Sequence, residues 1–174
     1  MAGASLSRRL STGRHLALVA GLGAGALALS TLSSFSDAHA VLINVSPSLP
    51  NWAFWVDRTV VPTRGDYIFF LPPRSALLER HFGKEPRAFG KRVMGVAGDV
   101  VTRQGPVFFI NGRPVATAKP RTRTGEPLAL GPTGVIPRGC YFVATPHKDG
   151  FDSRYAAIGW ICRARILGTG RAIL

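Results

Sequence analysis

Residues 106–118 read PVFFINGRPVATA, and this stretch indicates the fold class of the chain. Two short runs of β-branched and aromatic residues flank Asn111-Gly112, a dipeptide typical of the type I′ turn of a β-hairpin. Outward from it, Gly, Pro, Asn and Asp separate similar runs. Strands are predicted over residues 41–45, 52–56, 67–71, 92–96, 100–103, 107–110, 115–118 and 141–144. Such spacing is typical of an antiparallel β-sandwich or barrel.

The rest of this region predicts little helix. Residues 75–82, SALLERHF, favour one short helix with Ser75 as its N-cap. Residues 119–137 are rich in Pro, Gly and Thr and predict a long surface loop. The fold is therefore predicted to be mostly β.

Composition limits the class of protein. With 174 residues, 46% apolar and 18% charged, the chain can bury the core of one domain and is too apolar to be intrinsically disordered. Lys and Arg number 22 against 9 Asp and Glu, for a net charge of +13. This excess suggests nucleic acid, an anionic membrane surface or an acidic partner.

The first 40 residues are predicted to lie outside the folded domain, which spans residues 41–174. Residues 16–35 carry no charge, and about 20 such residues can cross a bilayer as a helix. Three arginines precede this run, which places the amino end in the cytoplasm and the domain on the other side. The tripeptide Ala-His-Ala at 38–40 also fits a signal-peptide cleavage site. The segment is thus either a retained anchor or a signal removed after Ala40.

Cys140 and Cys162 are the two cysteines of the chain. Outside the cytoplasm they can form one disulfide, and two buried thiols on neighbouring strands are the alternative. Neither lies in a CxxC and the four histidines are scattered, so no metal site and no cofactor are predicted.

Three short boxes carry chemistry that the fold does not require. In residues 44–50, NVSPSLP, two prolines restrict the backbone around Ser48, which suits a fixed nucleophile or an ordinary turn. In residues 90–99, GKRVMGVAGD, Lys91 shares a strand face with apolar residues. A lysine held there has a lowered pKa and can act as a general base, whereas a solvated edge lysine cannot.

The third box is GFDSRY, residues 150–155. Asp152 and Arg154 lie on the same side of an extended segment and can form a carboxylate–guanidinium pair. Such a pair braces a loop, and it can also support an active site.

Together, SxSLP, KRVxGxxGD and DSRY behind one apolar segment resemble the boxes of the type I signal peptidase clan. The Asn-x-Ser-x-Ser-x-Pro form of the first box is similar to that of the conjugative-transfer, TraF-type branch. The resemblance covers about residues 41–161 and implies a signal-peptidase-like antiparallel fold behind one membrane helix.

The resemblance also implies residue roles. Ser48 is the implied nucleophile and Lys91 the general base of a Ser-Lys dyad. The backbone N–H of Ser48 and the hydroxyl of Ser46 form the implied oxyanion hole. Asp152 is the carboxylate that the conjugative branch requires, and Arg154 is its partner.

The implied activity is that of a membrane-associated serine endopeptidase. It cleaves or cyclises pilin precursors or other exported proteins for conjugative transfer or type IV secretion. It lies on the periplasmic side of a bacterial inner membrane, or free in the periplasm if the segment is removed. Its implied partners are a protein substrate and the lipid surface, without nucleic acid. Trp52, Phe54 and Trp55 can contact the membrane interface or the core, and at least half of them are expected in the core.

Departures and alternatives accompany the resemblance. Gly150 stands where many signal peptidases have a serine that steadies the lysine. One alternative is a Ser48-His147-Asp152 triad. Another is a non-enzymatic periplasmic subunit of a conjugation or secretion apparatus, or a basic nucleic-acid binder. For the nucleic-acid binder, the argument is the loop cluster Arg113, Lys119, Arg121 and Arg123.

The net charge also belongs mainly to the domain. Because residues 1–40 carry only +2, a charge of +11 lies on the domain itself, which suits an anionic bilayer surface.

Overall fold

A computed structural model of the protein describes residues 3–44 and 49–173, with side chains from residue 17 onward. The chain divides into two units, Met1–His39 and Ala40–Leu174. The first contains helix α1 (Gly3–Ala38), and its Ala17–Ala38 part, with a mean hydropathy of 1.6, is long and apolar enough to cross a membrane.

The remaining elements are mostly strands. They are β1 (His39–Ile43), β2 (Ala53–Asp57), β3 (Tyr67–Phe70), helix α2 (Ala76–Phe82), β4 (Phe89–Gly95), β5 (Val100–Gln104), β6 (Val107–Ile110), β7 (Arg113–Thr117), β8 (Gly134–Val135), β9 (Cys140–Ala144), β10 (Ile161–Cys162), a 3-10 turn (Arg163–Arg165) and β11 (Ile166–Ala172).

These strands form two antiparallel sheets. The larger has seven strands in the order β1-β2-β11-β3-β4-β9-β10, and the smaller has four in the order β7-β6-β5-β8. The sheets pack through an apolar cluster in which the rings of Phe108 and Phe142 lie 5.7 Å apart. The predicted mostly β, antiparallel fold with one N-terminal apolar helix is confirmed.

Local predictions at turns and caps are confirmed as well. Asn111 and Gly112 have φ angles of 50° and 79°, and the type I′ turn needs both to be positive. Ser75 accepts a hydrogen bond from the backbone N–H of Leu78 and caps α2.

Three strands were not predicted, and β11 is the most important because it lies between β2 and β3. Its sequence, ILGTGRA, contains two glycines, which are depleted in strands. If Gly170 carried a side chain, its Cβ atom would lie only 2.5 Å from the Phe69 ring. A Cβ atom added to Gly168 would lie 2.5 Å from Val56. The glycines therefore make room for large core neighbours. Strand β8 interrupts the predicted 119–137 loop, and β10 is only two residues long.

Cys140 and Cys162 form a disulfide and face each other in register on β9 and β10. The bond closes a loop with a sequence separation of 22 residues. It therefore joins the short outer strand β10 to the buried strand β9.

Removing this bond should lower stability without removing the fold. From the entropy of a loop of this length, we expect Cys140→Ala/Cys162→Ala to lower the free energy of unfolding by about 3 kcal/mol. Urea unfolding followed by circular dichroism measures the change. The wild type under a reducing agent should show the same loss, and a loss below about 1 kcal/mol in both would contradict the expectation.

Candidate active site

Lys91 lies near the middle of the larger sheet, on β4 between β3 and β9. The alternation of β4 buries Lys91, Val93 and Gly95, as predicted, and leaves the intervening residues more exposed. Only 5% of Lys91 is exposed. Its register neighbour on β3 is Ile68, and its Nζ atom lies 5.8 Å from the centre of the Phe89 ring.

Burial dominates the electrostatics of this lysine. Loss of hydration lowers the pKa of Lys91 from its usual value, Asp152 opposes this by favouring the charged form, and Arg154 lowers the pKa further. Within the described residues, Nζ forms no hydrogen bond. The neutral amine is thus more accessible here than on a solvated lysine.

Asp152 and Arg154 form a buried ion pair with two contacts. Asp152 Oδ1 accepts from Arg154 Nε at 2.7 Å, and Oδ2 accepts from Nη2 at 2.8 Å. The two residues are 0% and 2% exposed. Burial alone would lower the pKa of Arg154, but the hydrogen bond and charge of Asp152 raise it above its usual value. The sequence anticipated this pair, and its catalytic role stays a prediction.

The pair is connected to both sheets. Arg154 donates to the carbonyl oxygen of Thr117 at 2.9 Å and to that of Thr145 at 2.8 Å. Asp152 Oδ2 also accepts from the Thr145 N–H at 3.1 Å. Ser153 fixes the segment to β9, because its Oγ accepts from the Val143 N–H at 2.9 Å. The DSRY box is therefore held rigidly at the end of β9.

The predicted surface loop covers this box. The N–H of Gly131 donates to the Arg154 carbonyl at 2.8 Å, and the N–H of Ala156 donates to Ala129 at 2.9 Å. The Tyr155 hydroxyl accepts from the Lys119 N–H at 3.0 Å. Sequence reasoning missed this supporting role, since such backbone contacts leave no local signal.

Ser46 and Ser48, the predicted oxyanion-hole donor and nucleophile, lie outside the described residues, but both flanks of their segment are described. The Asn44 side-chain amide donates to the carbonyl oxygens of Leu49 at 3.2 Å and Asn51 at 2.9 Å. Leu49 is buried, and a Cβ at Gly90 would lie 3.0 Å from its Cδ1 atom. The residue after Ser48 thus packs on the residue before Lys91.

His147 is not coupled to Asp152 in this arrangement. Its Nδ1 accepts from the Asp149 N–H at 3.2 Å, within its own loop. Both oxygens of Asp152 are bonded to Arg154. The described geometry therefore does not assemble the His147–Asp152 part of a triad.

The other predicted surface residues divide between core and solvent. Phe54 is fully buried, Trp55 is half-buried and Trp52 is 55% exposed. In the basic loop, Lys119 pairs with Asp149, and Arg121 donates to the Gly125 carbonyl at 2.7 Å. Among the described residues, no group of three or more His, Cys, Asp or Glu could hold a metal ion.

A buried lysine beside a buried ion pair, in an antiparallel β domain, defines a class of site that suits base chemistry without histidine. A model of the family described as signal peptidase, peptidase S26, matches residues 14–174. The chain therefore belongs to that family.

Known proteins similar to the chain include a conjugal transfer protein and a solved signal peptidase. The conjugal transfer protein TraF of Agrobacterium fabrum is 28% identical over 170 residues, which cover 90% of this chain and 95% of that protein. A solved signal peptidase I from Enterococcus faecalis is 25% identical, with a TM-score of 0.40, and the match covers 63% of this chain and 96% of that one. The family and the TraF relative support a peptidase-like or conjugation-related role.

Removing Arg154 should destabilise the domain strongly. Arg154→Ala leaves the Asp152 carboxylate buried without its partner, so we expect a loss of about 3–5 kcal/mol in the free energy of unfolding. Arg171→Ala, at an exposed arginine of β11, should change it by less than about 0.5 kcal/mol. Denaturant unfolding of both variants measures this. Equal effects in the two variants would show that the buried pair does not stabilise the fold.

Proposed function

We propose that the protein is a membrane-associated serine endopeptidase in which Ser48 is the nucleophile and Lys91 the general base. The observation that carries the proposal is the contact between Leu49 and Gly90, because it links the two boxes. Peptide bonds join Ser48 to Leu49 and Gly90 to Lys91, and consecutive Cα atoms are about 3.8 Å apart. The contact of Leu49 with Gly90 supports the pairing of the proposed nucleophile with the proposed base.

The environment of Lys91 supports its role as the base. Catalysis needs the neutral amine, and burial lowers the pKa of Lys91 toward the pH at which the enzyme works. A solvated lysine would remain charged and could not accept the Ser48 proton. The apolar neighbours Ile68 and Phe89 thus support a base that needs no histidine.

The proposed reaction proceeds in two steps. Neutral Lys91 takes the Ser48 proton as Ser48 Oγ attacks the scissile carbonyl, and the ammonium then gives that proton to the leaving amine. The Ser48 N–H and the Ser46 hydroxyl stabilise the oxyanion. Water, activated by Lys91, then attacks the acyl-enzyme and releases the carboxylic acid. If a substrate amine attacks instead, the product is a ring.

Asp152 and Arg154 act as a brace in this proposal. They hold the end of β9 and the loop against Lys91 without taking part in proton transfer. Because their charges influence the lysine in opposite directions, burial remains the main cause of its lowered pKa.

We further propose that the substrates are pilin precursors or other exported proteins used in conjugative transfer or type IV secretion. The named TraF relative supports this class of process. The apolar helix, the domain charge of +11 and the exposed Trp52 suit a periplasmic enzyme at an anionic membrane surface. The segment is an anchor, or a signal removed after Ala40.

Mass spectrometry of precursors tests the activity. Candidate pilin precursors incubated with the full chain should be cut once, next to small residues. A cyclised product would be lighter than the hydrolysed product by the mass of one water. We expect Ser48→Ala and Lys91→Met to lower kcat/KM by about 10³-fold or more, because each removes half of the dyad.

Two control variants separate the alternatives. His147→Ala should retain activity. An inactive His147→Ala enzyme together with an active Lys91→Met enzyme would favour the triad. If Ser48→Ala leaves processing intact while conjugative assembly fails, the protein is a non-enzymatic subunit of the apparatus.

The pH dependence of stability tests the burial of Lys91 independently of substrate. Its pKa is lower in the folded than in the unfolded state, so this group stabilises the fold above its unfolded pKa of about 10.4 and destabilises it as pH falls. Lys91→Met should therefore raise Tm at pH 7, by about 2 °C or more, and the gain should shrink toward pH 10. Lys84→Met, at an exposed lysine, should leave Tm nearly unchanged at both pH values. A Lys91→Met protein less stable than wild type at pH 7 would contradict the burial argument.

A further inference from the structure

Thr145 carries a buried hydroxyl with no assigned role. The residue is 4% exposed, and its Oγ1 atom has no hydrogen-bond partner within the described residues. Buried hydroxyls are normally bonded, so an unbonded one needs an explanation. The backbone of Thr145 is fixed, because its N–H donates to Asp152 and its carbonyl accepts from Arg154.

Extending the register of β4 with β9 by one residue brings Thr145 to the position opposite Lys91. Strands β4 and β9 pair antiparallel as far as Arg92 opposite Ala144, where β9 ends. Continued by one residue, this register sets Lys91 opposite Thr145. Directly opposite residues project from the same face, with Cβ atoms about 4.5–5.5 Å apart. On the other side of Lys91, β3 offers only the apolar Ile68. Thr145 is therefore the polar side chain that the sheet places next to the lysine.

The Thr145 hydroxyl lies close to Gly150. A Cβ at Gly150 would overlap Thr145 Oγ1, and it would lie 3.0 Å from Asp152 Oδ2 and 3.0 Å from Arg154 Nη2. The Thr145 hydroxyl therefore occupies the space that a side chain at position 150 would enter. This space adjoins both charged groups that act on Lys91.

We propose that Thr145 is a positioning residue whose hydroxyl accepts a hydrogen bond from Lys91 Nζ and directs the amine toward Ser48. This inference rests on the proposed function. The hydroxyl and the amine both lack partners in the described structure, and the flexible four-carbon stem of lysine lets Nζ reach the opposite residue. The proposed hydrogen bond gives both the Thr145 hydroxyl and the Lys91 amine a partner.

The proposed hydrogen bond predicts the direction in which the pKa of Lys91 changes when the acceptor is removed. A hydroxyl oxygen accepts more strongly from the ammonium than from the neutral amine, so it favours the charged form. Thr145→Val keeps the shape and removes the acceptor, so the pKa of Lys91 should fall. Asp152 and Arg154 face the same lysine and stay in place, which leaves the hydroxyl as the only changed group.

The test is titration of Lys91 in the full chain in detergent micelles, by NMR of labelled lysine, with Lys91→Met to assign the signal. We expect Thr145→Val to titrate at a lower pH than wild type, and Thr145→Ser to titrate as wild type. The matched control is Thr169→Val, a buried threonine on β11 whose hydroxyl already donates to the Val60 carbonyl at 3.1 Å. That variant should leave the titration unchanged. An unchanged titration in folded Thr145→Val would overturn the inference.

Kinetics on a cleaved precursor give a second readout. Thr145→Val should lower kcat about 10- to 100-fold with KM nearly unchanged, and the acid limb of kcat/KM should move to lower pH. Thr145→Ser should stay within about threefold of wild type. If wild type cleaves no precursor although the titration behaves as expected, the proposed function fails while the Lys91–Thr145 bond stands. If wild type is active and Thr145→Val resembles Thr169→Val, the inference fails alone.

Moving the hydroxyl from position 145 to position 150 tests whether Thr145 acts through its hydroxyl or through its packing. Gly150→Ser should impair the enzyme, because its Cβ overlaps Thr145 Oγ1. In a Thr145→Ala background that atom is absent, so the same serine can supply the missing hydroxyl. A Cβ at position 150 also lies 3.0 Å from Asp152 Oδ2 and from Arg154 Nη2, so the matched control is Thr145→Ala/Gly150→Ala, which has the same Cβ without the hydroxyl. A higher kcat in Thr145→Ala/Gly150→Ser than in this control supports the proposal, and equal kcat in the two double variants counts against it.

Discussion

The buried ion pair of Asp152 and Arg154 is the interaction on which the site geometry depends. Arg154 reaches the carbonyl oxygens of Thr117 on β7 and Thr145 after β9, so a single side chain joins the two sheets. A charge in such a place is tolerated only with its partner and its hydrogen bonds in place. Both carboxylate oxygens meet that requirement. The segment that follows β9 is thereby fixed relative to Lys91 before any substrate arrives.

The same pair acts on the pKa of Lys91 in two opposite directions. Asp152 favours the charged form of Lys91, and Arg154 opposes it. A lone carboxylate would hold the lysine protonated, and a lone guanidinium would add a second buried charge. With the two opposed, loss of hydration sets the direction of the shift. The lowered pKa of Lys91 therefore depends in part on Arg154 opposing the charge of Asp152.

Much of the fold follows from local sequence, and what was missed depends on distant contacts. The hairpin at Asn111 and the cap at Ser75 follow from residues next to one another. Strand β11 was missed because its glycines lower its strand propensity, while their reason, space for Phe69 and Val56, comes from other strands. In the site, motif order identified Lys91 and the Asp152–Arg154 pair. It did not indicate Thr145, whose proposed role rests on the register of β4 with β9 continued one residue past Arg92 and Ala144.

Glycines mark the places where the site is assembled from separate segments. A Cβ at Gly90 would press on Leu49, one at Gly131 would overlap the Ser153 carbonyl oxygen, and one at Gly150 would overlap Thr145 Oγ1. Each glycine lets a different segment approach β4 or the end of β9. The departure at Gly150 thus belongs to the construction of the site, since the Thr145 hydroxyl lies in the space that a side chain at position 150 would fill.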